Sequence, residues 1–490
     1  MNKYKYIIIF ILMSLAWLYP FHYMPWLVAE NEFFILLVPF VLLLFFLNKK
    51  EIKVNDFSIF IFILFFLSFF QYIFIDYFFL EDIVLIAVYL FFIFLILIFG
   101  HFFTHGCFFI YLKLILFLCF LNSLIIFFQY FGVVNMLILE HSGMKRFYGN
   151  IGQPNHLSTL FMMGLSASFI LYNYKKISIR KLYFFSFLLV VSIFLTGSRT
   201  GLLTLFILFF TDCILGDKKE LKFKVGFYFN LIFVYFLCVF VLNKNSRGSV
   251  KSIDAVINDS RISLWYDSFI SILSNPWFGY GFNGVRTSRL FGGLSFKSTY
   301  VSSHNIFLDF FLWFGVVGGV AFIIYFFVII RRIYCDKKNG YIISLLLIPF
   351  LTHCFFEYPF RYLYFLVLVV PIFSNIKGGS EFYIRRKFIV LIVLVYSILL
   401  SFIFSDFQKI SRGAFLAYTQ KCERENYTPI VLDLMKMYSE LYCEELNSTE
   451  MSRVIHRYAY PNHIRYYINS GYFDINFIRF EHEMDKNNKK

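Results

Sequence analysis

Apolar and polar positions along this chain fall into long blocks. Thirteen runs of nearly unbroken apolar residues lie at 5–19, 33–47, 57–76, 82–100, 107–132, 155–173, 182–196, 201–216, 225–242, 305–330, 341–356, 362–373 and 387–405. Most approach the roughly 20 residues that cross a hydrocarbon core as a helix, and a few are shorter. Runs with no polar face predict helices in lipid, where each backbone N–H and C=O is satisfied within its own segment. The expected fold is therefore all-α, a polytopic integral membrane protein of about thirteen transmembrane helices.

The polar blocks between the runs are of two kinds. Basic clusters occur at Lys49, Lys50 and Lys53, at Lys175, Lys176, Arg180 and Lys181, and at Lys218, Lys219, Lys222 and Lys224. Two more lie at Arg331, Arg332, Lys337 and Lys338, and at Lys377, Arg385, Arg386 and Lys387. All fall in even-numbered gaps, and the positive-inside rule sets those gaps and the N-terminus in the cytoplasm. The opening "KYKYIIIFILMSLAW" lacks a small-x-small cleavage site and reads as an uncleaved first span. The odd gaps then face outward: "PFHYMPW", "KRFYGNIGQPNH", "GSRTG", a loop over 243–304, and "HCFFEYPFRY". The expected organisation is a membrane domain over 1–405 and a small helical extension over 406–490 on the outer side.

Composition sharpens this picture. Of 490 residues, 60% are hydrophobic and only 15% charged, which sets the chain apart from soluble domains. The 73 Phe residues accompany abundant Ile, Lys and Asn and carry no functional weight. The net charge of +15 sits in topology-setting clusters, so no nucleic-acid partner is expected. Zinc-spaced Cys pairs and an HExxH are absent from the sequence, so no metal or cofactor is expected.

The outward gaps hold the candidate chemistry. Arg146, Arg199 and Arg261, with Arg286 and Arg289 in reserve, are fork-shaped cations suited to a diphosphate. His304, where the long loop meets the next run, is a candidate base. The bland alternatives are an interfacial role for His22 and His156, a snorkelling role for Arg199, and simple turns at "PNH" and "EYP".

These residues also carry a resemblance. "YGNIGQPNHLSTLF" resembles the signature of bacterial protein O-oligosaccharyltransferases of the pilin glycosylation ligase type, and "PFHYMPW" and "HCFFEYPFRYLYFL" are similar to two further stretches of that family. "LTGSRTGLL", "RISLWYDSFISILSNPWFGYGF" and "HNIFLDFFLWFGVVGG" resemble the wider O-antigen ligase and polymerase superfamily. The resemblance implies a metal-independent, inverting glycosyltransferase of the bacterial inner membrane. Its donor would be an undecaprenyl-diphosphate-linked oligosaccharide and its acceptor an exported, pilin-like protein met on the periplasmic side. It implies His304, Arg261 and Arg199 as catalytic residues, with Arg146 a further donor contact. Gln153, Asn155, His156, His22, Glu357 and Tyr358 would shape the cleft. Two alternatives stand beside it: an O-antigen ligase acting on lipid A core (or a Wzy-like polymerase), and a transporter or flippase. Charged residues deep in the runs and paired broken helices, which the last would favour, are not evident in the sequence.

Of eight cysteines, Cys422 and Cys443 fall in the extension, where an oxidising periplasm would permit a bridge as readily as two free thiols. The topology gives the first prediction. Reporters fused after Lys224 and Arg332 will give cytoplasmic signals, and those after Arg261 and Asp406 periplasmic ones; a cytoplasmic signal at Arg261 would separate the arginines from any exported acceptor.

Overall fold

A computed structural model describes residues 2–22, 26–46, 49–74, 80–101, 105–133, 135–139, 146–242, 260–291, 301–336, 339–418, 429–432 and 435–436. Every apolar run is helical. The first is α1 (Asn2–Leu18), and the second is divided into α2 (Ala29–Leu36) and α3 (Val38–Phe46). Then follow α4 (Asp56–Phe74), α5 (Leu80–Gly100), α6 (His105–Tyr130), α7 (Pro154–Asn173), α8 (Ile179–Thr196), α9 (Arg199–Leu215) and α10 (Leu221–Leu242). The long polar stretch contributes α11 (Ser260–Ser274) and α12 (Gly284–Phe291). The last runs form α13 (Ile306–Cys335), α14 (Gly340–Cys354), α15 (Leu363–Phe373) and α16 (Arg386–Tyr418).

Among the described residues seven helices are long and apolar enough to cross a membrane. The protein is thus a mostly helical membrane protein. α5 is buried almost all round, as expected of an apolar helix at the centre of a bundle. α15 is buried along nearly its whole length as well, and its last turn is tied to α5 by the Ser374 hydroxyl, which donates to the Leu97 carbonyl at 2.5 Å.

Contacts between gaps sort by parity. On one face β1 (Glu51–Asn55) pairs antiparallel with β2 (Glu381–Arg385), with Lys53 opposite Tyr383. Arg332 Nη1 lies 2.6 Å from Asp56 Oδ2 on the same face. On the other face His22 meets Asn150, Asp82 accepts from the Asn283 amide, and Arg261 meets Glu357. Each tie joins two even gaps or two odd ones.

Three features depart from the sequence reading. The strand pair is an addition to the all-α expectation. β-branched Ile52 and Val54 are buried at 2 and 3%, but a five-residue strand leaves a trace in sequence too short to read without its partner 330 residues away. Lys224, one of the topology-setting cations, is buried: its ammonium lies 3.0 Å from Asp212 Oδ1, which also accepts from the Tyr341 hydroxyl at 2.6 Å. The pair is neutral as a unit, because an unpaired charge there would forfeit its hydration. Finally, α16 runs through Asp406 without a break. Asp406 is buried and its Oδ2 accepts from the amides of Ile430, Val431 and Leu432 at 2.8, 2.6 and 3.1 Å. Cys422 and Cys443 lie outside the described residues.

α13 is interrupted. Gly315 has φ 66° and ψ −168°, and the carbonyls freed at the break are taken by a neighbouring segment. The amides of Tyr280 and Gly281 donate to Leu312 and Trp313 at 2.6 and 3.2 Å, and the Val316 amide donates to Pro276 at 2.6 Å. A Cβ at Gly315 would overlap the Trp277 carbonyl. Gly315→Ala therefore combines left-handed strain with a backbone clash and is expected to cost about 3 kcal/mol or more. Thermal unfolding of the solubilised variant will show the loss, whereas Gly226→Ala, which meets nothing within 4 Å, leaves the transition nearly unchanged.

Candidate active site

The octapeptide "GNIGQPNH" is a turn that ends in a helix cap. Gly149 and Gly152 have φ 58° and 74°, conformations that a side chain would strain, and the three residues Gly149–Ile151 between them form a 3-10 turn. Gln153 is the N-cap of α7, its Oε1 accepting from the His156 amide at 2.8 Å, and Pro154 occupies the first helical position. Asn150 braces the turn by donating to Leu18 and Leu137 carbonyls, and Gln129 donates to Gly149 while accepting from its amide at 2.9 Å. His22 sits against this turn, its Nε2 2.8 Å from the Asn150 carbonyl oxygen. The turn delivers Asn155 and His156 to the first turn of α7.

There the odd gaps converge on Glu357. Its Oε1 accepts from Arg261 Nη2 at 2.5 Å and from Asn155 Nδ2 at 2.9 Å, and its Oε2 lies 2.8 Å from His304 Nδ1. Asn155 Oδ1 accepts in turn from Arg146 Nη2 at 2.5 Å, and Arg146 Nε donates to the Thr196 carbonyl at 2.9 Å. The Arg146 stem crosses Gly197, whose φ of 59° ends α8. Burial would raise the Glu357 pKa, but the hydrogen bond to His304 and the charges of His304, His353 and Arg261 prevail and hold it at about 2. Burial also lowers the Arg146 pKa, countered by Glu357 and reinforced by the cations Arg261 and Arg199.

His304 is held in an unusual conformation. Its φ of 57° is a left-handed backbone in a residue with a Cβ. Asp309 fixes the preceding turn by accepting from the Ser302 hydroxyl at 2.5 Å and the Ser303 amide at 2.7 Å. Arg361 donates to the Val301 carbonyl at 2.6 Å while lying over the Phe282 and Trp313 rings. Asn305 then caps α13, accepting from Phe307 and Leu308 amides. The Tyr358 ring packs edge-on against the imidazole, centroids 4.8 Å apart.

Beneath Glu357 a second rung ties the same two chain segments: Thr159 Oγ1, one turn after Asn155, is 2.7 Å from Nδ1 of His353, one turn before Glu357. His156 Nδ1 is 2.6 Å from the Tyr364 hydroxyl.

The structure thus brings Arg146, Asn155, Arg261, His304, Glu357 and Tyr358 together, with His156 just below. Arg199, exposed at the start of α9, lies close enough for its charge to act on Arg146. Arg286 on α12 acts in the same way on Tyr358 and Arg361. Gln153 and His22 serve the turn that carries Asn155. Arg289 lies on α12, its side chain outside the description. Asn150, Thr159, Asp309, His353 and Arg361 were not singled out in the sequence. Arg361 had a signal there, as the one cation in the apolar "EYPFRYLYFL"; a hydroxyl such as Thr159 inside an apolar helix had none.

The fold and this cluster define a helical membrane protein in which arginines and a histidine surround a buried carboxylate on one face. Residues 148–171 match the family described as protein glycosylation ligase, and residues 184–323 the family described as O-antigen ligase. The chain is 31% identical over 252 residues to the ComP-specific O-oligosaccharyltransferase of Acinetobacter baylyi, covering 48% of this chain and 45% of that one. It is 27% identical over 257 residues to the general O-oligosaccharyltransferase of the same organism, covering 49% and 44%. The chain spans about half the length of the curated relatives it matches. These matches bear out the resemblance drawn from the sequence motifs.

The depressed Glu357 carboxyl has a pH signature. Its ordinary value is 4.5 and its folded value about 2, so its stabilising contribution is complete above pH 4.5 and is lost as pH falls through 2. In thermal unfolding, Glu357→Gln is expected to be less stable than the parent at pH 7, and the gap between them will close on acidification.

Proposed function

We propose that this chain is a protein O-oligosaccharyltransferase that moves a preassembled glycan en bloc from undecaprenyl diphosphate to a Ser or Thr hydroxyl of an exported, pilin-like protein. The observation that carries the reading is the Glu357 junction, where a histidine, a carboxylate and arginines from three separate gaps meet. Glu357 faces Nδ1 of His304 and so leaves Nε2 to accept the hydroxyl proton. The acceptor oxygen attacks the anomeric carbon, the bond from that carbon to the diphosphate oxygen breaks, and the configuration inverts. The proton passes to His304, and undecaprenyl diphosphate leaves with the bonding pair. Arg199, Arg146 and Arg261 neutralise the departing charge, a role that requires neither a metal nor a protonated leaving group. Arg286, whose charge acts on Tyr358 and Arg361, would add to this cationic set.

An apolar cavity of about 120 Å³ supports a lipid donor. It is lined by Ile306, Phe355 and Phe360, next to His304 and Glu357 in sequence, and reaches Phe57 and Phe373 at the opposite ends of α4 and α15. The sorting of contacts by parity supports thirteen crossings, and the positive-inside rule orients them with the cleft on the periplasmic face of the inner membrane. The extension over 406–490 would guide the acceptor protein. A transporter reading finds little support, since the buried Asp212–Lys224 pair lies on the face away from the cleft and is self-neutralised.

The match of residues 184–323 also keeps an O-antigen ligase reading open, and one experiment separates the two. In a host lacking its own ligase, co-expression with a lipid-linked glycan pathway and a candidate pilin should add one glycan mass to the intact pilin. Transfer to lipid A core without pilin modification would select the ligase instead. His304→Ala and Arg261→Ala are expected to lower pilin glycosylation at least a hundredfold while the chain still inserts, Arg199→Lys to lower it less, and chelator to leave it unchanged.

A further inference from the structure

α11 is built inside out. Ile262, Tyr266, Phe269 and Leu273 recur at spacings of four, three and four, which places them on one narrow strip of the helix. All four are exposed, at 60, 66, 52 and 58%. The opposite face is buried and carries two serines, Ser268 and Ser271, whose hydroxyls donate to the carbonyls of Leu264 and Asp267 one turn back. A helix that turns serines inward and an unbroken aromatic and aliphatic strip outward is not arranged for water.

Its anchoring gives its depth. At one end Arg261 joins Glu357; at the other, the segment from Pro276 to Gly281 docks into the break at Gly315. That break leaves Val316–Cys335 as a continuous helix of roughly 30 Å, enough by itself for the hydrocarbon core. Val317, Val320, Ile324 and Phe327 form the exposed strip of this span. α11, at about 22 Å, is too short to cross and packs against α13.

The geometry points to α11 as an interfacial helix that lies in the bilayer surface on the cleft side, with its Ile262–Leu273 strip in the hydrocarbon. The occupant of the strip is lipid, because α11 packs against α13, a helix that itself exposes the apolar Val317, Val320, Ile324 and Phe327, and no charged side chain interrupts the α11 strip. Tyr266, and Trp277 just beyond the helix, supply the amphipathic aromatics that settle at such boundaries. The placement stands apart from the catalytic reading. Together with that reading it keeps Arg261 at headgroup depth, so a lipid diphosphate is engaged without leaving the bilayer.

Power saturation of spin labels tests it in the full chain, reconstituted in phosphatidylcholine vesicles on a cysteine-free background. Labels at Phe269→Cys and Leu273→Cys should show an oxygen-to-nickel-chelate collision ratio severalfold above that at Ser263→Cys, on the flank of the helix. Chelate-dominated collisions at Phe269 and Leu273 would mean a water-facing strip, and low collisions with both reagents a strip covered by protein; either overturns the proposal. Should the cysteine-free chain fail to insert, the native chain in vesicles with brominated acyl chains serves instead. The part of its fluorescence lost in Trp277→Phe should be strongly quenched by bromines nearest the headgroups. Absence of that quenching overturns the proposal as well. Loss of glycan transfer with retained quenching would count against the catalytic reading alone.

Discussion

A buried carboxylate cannot stay charged in low-dielectric surroundings unless cations and hydrogen-bond donors surround it, and Glu357 imposes that condition on the face where it lies. Arg261 and Asn155 contact it directly, His304 lies against its second oxygen, and Arg146 supports it through Asn155. All of these partners lie far from Glu357 in the chain. Their shared need for one counter-ion fixes how α7, α11, α14 and the start of α13 stand relative to one another.

The same constraint explains the local irregularities. His304 adopts a left-handed backbone because Asp309 and Arg361 hold the preceding turn, and the strain is offset by its contact with Glu357. Gly149, Gly152 and Gly197 turn the chain where helices must begin or end close to the junction. The Thr159–His353 rung one turn below keeps Asn155 and Glu357 in register. Around these polar ties the bundle is apolar, so few alternatives compete for the donors.

α13 links this junction to the bilayer. Its break at Gly315 hands backbone hydrogen bonds to the segment that follows α11, so the helix bearing Arg261 is docked by main chain at one end and by an ion pair at the other. The geometry of the Glu357 junction is thereby coupled to the position of a helix whose exposed face is apolar.

The sequence by itself determined the helices and the two kinds of gap between them, basic and chemically mixed. Long apolar runs have one low-energy form in lipid, and the charge of the gaps is a local property. It also singled out His304, Arg261 and Arg146, because polar residues are conspicuous between such runs, and its motifs brought in Asn155 and Glu357 through the family resemblance. What only the tertiary structure decided was who meets whom. Glu357 could be read as part of a turn until three segments were seen to converge on it, and Lys224 as a free cation until Asp212 was found beside it. The five-residue strand pair, the break at Gly315 and the outward strip of α11 depend likewise on partners far away in the chain. Pairing across such separations leaves no periodic trace, since the energy that selects it is released only when both members are buried together.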